Sequence, residues 1–234
     1  MAQEDRYSSS ADGRIYLGGP STAGSSWSTV RNTVTGVSIN NTGTTSQGPF
    51  AIMFSGKGAD FFDVSRYFLY FDMSSFPTYS TIDSAEIELY RHANGGVSVI
   101  AVRHDAPSVH INNAEFVFFP SHDPAGGDSM TAYSSANTDS DGAMNTFELN
   151  ATAITELTAC IEGSGNGGVG TSSFEVAIVS NLDYTNTEPS DRSELGLSFR
   201  TQEYSDTSSD PILSVTYSTA VAVTHNATFF GANF

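Results

Sequence analysis

The strongest pattern in the chain lies at residues 66–90, where an apolar run gives way to strict alternation. Over residues 66–72, Phe68 and Tyr70 fall on one side of an extended strand, and Tyr67, Leu69 and Phe71 fall on the other. A strand apolar on both sides is covered on both sides, which predicts an interior position in a sheet. Pro77 ends the run. Residues 84–90 then place Ala85, Ile87 and Leu89 on one face and Ser84, Glu86 and Glu88 on the other. This alternation predicts a half-buried strand of an antiparallel sheet, with both glutamates turned outward. Asn94-Gly95-Gly96 predicts a hairpin turn, with residues 97–103 as its return strand.

Weaker patterns fill in the rest. Short strands are expected at residues 14–17, 50–54 and 115–119, and one or two more over residues 27–39. Phe147 and Leu149 share a face, Phe174, Val176 and Ile178 another, and Leu195, Leu197 and Phe199 a third. Leu213, Val215 and Tyr217 follow Asp210-Pro211 as the last strand. A single helix is expected near residues 150–161. Asn150 can cap it, Ile154, Leu157 and Ile161 form its apolar stripe, and Gly163 can end it. A Gly-, Ser-, Thr- and Pro-rich loop occupies residues 18–26, and a long polar loop rich in Asp, Ser and Gly occupies residues 120–146. Roughly ten to twelve strands with one short helix predict an all-β fold, a two-sheet antiparallel β-sandwich of jelly-roll form. Residues 1–10 are expected as a flexible leader, residues 11–218 as one sandwich domain and residues 219–234 as a C-terminal extension.

Composition narrows the function classes. There are 26 acidic residues against 9 basic ones, and Lys57 is the only lysine. A net charge of −17 argues against nucleic acid as a partner, because phosphate neutralisation needs clustered Lys and Arg. It argues equally against anionic membrane surfaces. No apolar run reaches the length of a membrane span. The opening MAQEDRYSSSADG lacks a basic region followed by an apolar one, so no signal peptide is expected. Cys160 is the only cysteine, which rules out an intrachain disulfide and suits a buried, inert thiol.

Candidate chemistry is sparse. Asn137, Asp139 and Asp141, with Gly142 and Glu148 behind them, have the spacing of a calcium loop. Position one is Asn, however, and helices are not expected on both sides. Calcium is thus the one cofactor the sequence suggests. Five scattered histidines form no zinc set, and no Gly-x-Ser-x-Gly elbow supports a triad. Trp27, Tyr133 and Tyr184 sit in or near expected loops and are candidates for stacking on sugar rings. No catalytic set stands out, and a non-enzymatic protein is expected.

Residues 67–74, Tyr-Phe-Leu-Tyr-Phe-Asp-Met-Ser, precede Pro77 and the strand Ile82-Asp83-Ser84-Ala85-Glu86-Ile87-Glu88-Leu89. Near the end come Thr201-Gln202-Glu203 and Pro211-Ile212-Leu213-Ser214-Val215-Thr216-Tyr217. Over about residues 11–218, this resembles the DNRLRE-type β-sandwich family, which is similar to carbohydrate-binding modules of jelly-roll form. Thr201 stands where the family pattern has serine. The resemblance implies a sandwich scaffold. It also implies one of two settings, a structural protein of a bacteriophage particle or a secreted glycan-binding protein. With no signal peptide expected, the first setting is favoured: a capsid decoration or tail-associated subunit in the virion, contacting copies of itself and other virion proteins. Phe229, Phe230 and Phe234 are the expected aromatic anchors for those contacts. The alternative is an extracellular carbohydrate-binding module or adhesin that uses the loop aromatics.

Overall fold

The structure is a computed structural model that describes residues 1–9, 12–18, 22–33, 38–40, 48–55, 60–78, 80–93, 98–104, 130–138, 141–163, 172–190, 198–201 and 207–219. Two antiparallel sheets pack face to face. With strands numbered in chain order, the front sheet holds β1 (Ala2–Tyr7), β6 (Ser80–Ala93), β8 (Ala143–Glu148), β10 (Ser198–Phe199) and β11 (Ile212–Thr219). The back sheet holds β2 (Gly13–Leu17), β3 (Ser38–Asn40), β4 (Phe50–Phe54), β5 (Phe61–Asp72), β7 (Val99–Arg103) and β9 (Ser173–Ser180). The expected all-β sandwich is therefore the observed one.

The doubly apolar run predicts β5 well. β2 pairs with Val64–Phe68 along one side of β5, while β4 and β9 take successive stretches of the other. Tyr67, Leu69 and Phe71 face the front sheet, where they meet Ile87, Leu89, Phe147, Leu213 and Val215. Val64, Phe68 and Tyr70 face the opposite way, into a second core with Trp27, Val30, Ala177 and Val179. Burial of each such side chain stabilises the fold by roughly 1.5–3 kcal/mol.

The second core exists because two short helices cover the back of the molecule. The first, α1 (Trp27–Arg31), replaces the strand expected over this stretch. Its N-cap is Ser26, whose hydroxyl accepts from the Thr29 N–H, and Trp27 and Val30 fall on one buried face at i and i+3. Capping and that spacing override the strand preference of Thr29 and Val30. The third helix, α3 (Asn181–Tyr184), follows β9 directly. Between them in sequence lies α2 (Ala151–Ile161), the expected helix, capped by Asn150, whose Oδ1 accepts from the N–H groups of Thr152 and Ala153. Gly163 stands past its end at φ 78°.

Two further expectations change. Residues 2–7 are not a leader but the edge strand β1, paired with β11 from Ala2↔Tyr217 to Tyr7↔Ile212. The strand is polar on both faces and is held by its backbone ladder, so no alternation betrays it. The Asn94 region does not close a hairpin either: β6 belongs to the front sheet, whereas β7 pairs with β9 in the back sheet. The strand expected at residues 115–119 lies outside the described residues.

Candidate functional site

The two sheets are finished differently. The back sheet is buried on both faces, between the two cores. The front sheet buries one face and turns the other outward, and that outward face carries Asp5, Glu86, Glu88 and Glu148. Antiparallel register aligns Asp5, Ser214, Glu86 and Glu148 in one row across β1, β11, β6 and β8. The next row is Tyr7, Ile212, Glu88 and Thr146. The Ser214 hydroxyl donates to Asp5 Oδ1 at 2.8 Å. Partial burial, with Glu86 and Asp5 nearby, raises Glu88 above the ordinary glutamate range.

Two grooves open on this side. One, about 350 Å³, is lined by Gln3, Ser84, Glu86, Glu148, Ser214 and Thr216. The other, about 550 Å³, lies between the edge of β8 and residues 134–137, and shares Glu148 and Leu149 with the first. Its walls are tied by side-chain amides. Asn137 Nδ2 donates to the Thr146 carbonyl at 2.8 Å, and Asn150 Nδ2 donates to the Ala132 carbonyl at 2.8 Å. Asn137 is itself bridged to Val99 of β7, so this groove runs along the seam between the sheets.

The calcium candidates are spread out. Asn137 and Glu148 line the seam groove, but Asp141 lies in the turn that opens β8 while Glu148 ends that strand. Five residue steps of extended chain separate the two ends of β8, or roughly 17 Å, too far for ligands of one ion. Asp139 lies outside the described residues. Among the described residues, no three His, Cys, Asp or Glu side chains gather as a metal site would require.

The aromatic candidates pack inward. Trp27 is 4% exposed, with its ring 5.7 Å from that of Phe62. Tyr133 is fully buried and stacks on Phe174, with centroids 5.6 Å apart. Tyr184 is half-buried against the second core. Neither Trp27 nor Tyr133 has a ring face left for a sugar, because both rings are buried in the cores. Phe229, Phe230 and Phe234 lie outside the described residues.

Two groups with intrinsic reactivity are buried. His104 is buried against Phe68, with ring centroids 4.6 Å apart, and its Nδ1 lies 3.7 Å from Glu175 Oε2. Cys160 is buried on α2 and its thiol donates to the Ser173 carbonyl. Sequence reasoning turned Glu86 and Glu88 outward but missed their alignment with Asp5 and Glu148, because alternation gives faces within a strand and says nothing of register between strands.

No family model matches the chain, and no curated protein matches it significantly. Among the described residues, no helix is long and apolar enough to cross a membrane.

Proposed function

We propose that the chain is a non-enzymatic structural subunit of a bacteriophage particle, a capsid decoration or tail-associated protein that works through contacts with copies of itself and with other particle proteins. The observation that carries this reading is the unequal finish of the two sheets. The chain's own helices cover the back sheet, while the front sheet offers an acidic face and two grooves to the outside. A rigid sandwich of this kind suits presentation of a surface. Among the described residues, His104 and Cys160 are buried in the packing. The particle setting rests on the family resemblance of residues 66–90 and 199–217.

The burial of Trp27 and Tyr133 removes the support that a glycan-binding reading drew from them. Immunoelectron microscopy tests the proposal, using an antibody against the chain and intact particles from the genome that encodes it. Regular labelling of the particle surface is expected. Unlabelled particles that lack the chain by mass spectrometry would contradict it.

A further inference from the structure

The two outer strands of the front sheet are not equivalent. Among the described residues, β1 pairs only with β11 and β8 only with β6. β1 carries three successive charges, Glu4, Asp5 and Arg6, the usual protection of an edge against unwanted pairing. β8 is barer: Met144 and Thr146 precede a single charge, Glu148.

Backbone direction makes the β8 edge usable. The Leu149 N–H donates to the Ala85 carbonyl, so alternate residues of β8 address β6. Thr146 and Glu148 fall between them, and their backbone groups address the open side. The Thr146 carbonyl confirms this direction, because it accepts from the Asn137 side chain across the seam groove. Asn137 thus occupies one position of a ladder that an added strand would complete.

We infer that the open edge of β8 receives an extended segment by strand addition, and that the segment is residues 220–234 of a second copy. This inference rests on the subunit-contact reading above. The occupant is argued from its sequence. Residues 220–234 follow β11 and carry Val221, Val223, Thr224, Thr228, Phe229 and Phe230, residue types that favour strands. They contain no Asp or Glu, in a chain of net charge −17, and so meet the Glu148-flanked groove without like-charge repulsion. Strand addition draws affinity from main-chain hydrogen bonds and specificity from alternate side chains. On docking, an N–H of the incoming strand takes over the Thr146 carbonyl from Asn137.

The test compares the full-length chain with its Thr146→Pro variant. Proline at 146 removes an N–H on the open side only, so the β6–β8 ladder keeps its bonds. Sedimentation should show self-association weakened at least about tenfold in the variant. In the unmodified chain, amide exchange at Thr146 and Glu148 should slow as concentration rises, and excess synthetic peptide of residues 220–234 should disperse the oligomer while keeping both amides protected. The exchange measurement decides the matter even if the proline variant misfolds. Association with unchanged exchange at both amides would overturn the site and leave the subunit-contact reading standing. Protection independent of concentration would overturn the second copy as occupant. A chain that stays monomeric at every concentration would overturn both.

Discussion

At the scale of single residues, Asp183 joins three elements. Arg66, at the centre of β5, holds its carboxylate bidentately, with Nε to Oδ2 at 2.7 Å and Nη2 to Oδ1 at 2.9 Å. Arg31 Nε donates to the Asp183 carbonyl at 2.7 Å, and Arg66 Nη2 donates to the Arg31 carbonyl at 3.1 Å. All three side chains are fully buried. The cluster ties α1 and α3 to the back of β5. Burial pulls Arg31 below the ordinary arginine range and Asp183 opposes that pull. Asp183→Ala leaves both guanidiniums in the interior without that carboxylate and is expected to cost about 3–5 kcal/mol in urea unfolding. Nothing in the sequence around Arg66 names this partner, which is 117 positions away. The sequence places an arginine at the head of the apolar run, but its destination required the fold. Glu88 gives a prediction of opposite sign. Its folded-state pKa is raised, so its favourable contribution is complete below the ordinary value of 4.5 and is lost as pH rises through the folded value. Glu88→Gln is therefore expected to stabilise the protein at neutral pH, with the gain vanishing in unfolding curves recorded below pH 4.5.

At the scale of elements, legibility followed periodicity. β5, β6, β9 and β11 announce themselves because burial on one or both faces leaves a period of two in the sequence. α2 does so through its cap and its stripe, with Leu157 and Ile161 buried and Ile154 packed against the core. Asn150→Ala is expected to cost about 1 kcal/mol from the lost cap, read as a lowered Tm. A larger loss would show the worth of the bond it donates to the Ala132 carbonyl. The elements that escaped are those whose stability is not their own. α1 is five residues long and stands on the core beneath it. β1 is a polar strand held by β11, with Arg6 lying over the Phe76 ring, 5.7 Å from its centroid. The Asn-Gly-Gly sequence at 94–96 has hairpin chemistry, yet its flanking strands enter different sheets. A turn sequence allows a reversal, and core packing decides which sheet receives the next strand.

At the scale of the whole molecule, the fold divides labour between its sheets. The back sheet, sealed by α1, α3 and the Arg31–Arg66–Asp183 cluster, supplies rigidity. The front sheet supplies an outward acidic face, two grooves and the β8 edge. Composition alone foretold an acidic protein, but only antiparallel register gathers Asp5, Glu86, Glu88 and Glu148 from three strands onto one face. The aromatic candidates were misjudged for a related reason. Trp27 and Tyr133 lie in stretches of loop-like composition, and the second core and the inter-sheet core claim them. Sedimentation velocity on the purified full-length chain, over a wide concentration range, tests most directly the claim that the protein works through subunit contacts. The expected result is a weight-average sedimentation coefficient that climbs with concentration toward a defined oligomer. A single monomeric species at every concentration would contradict it.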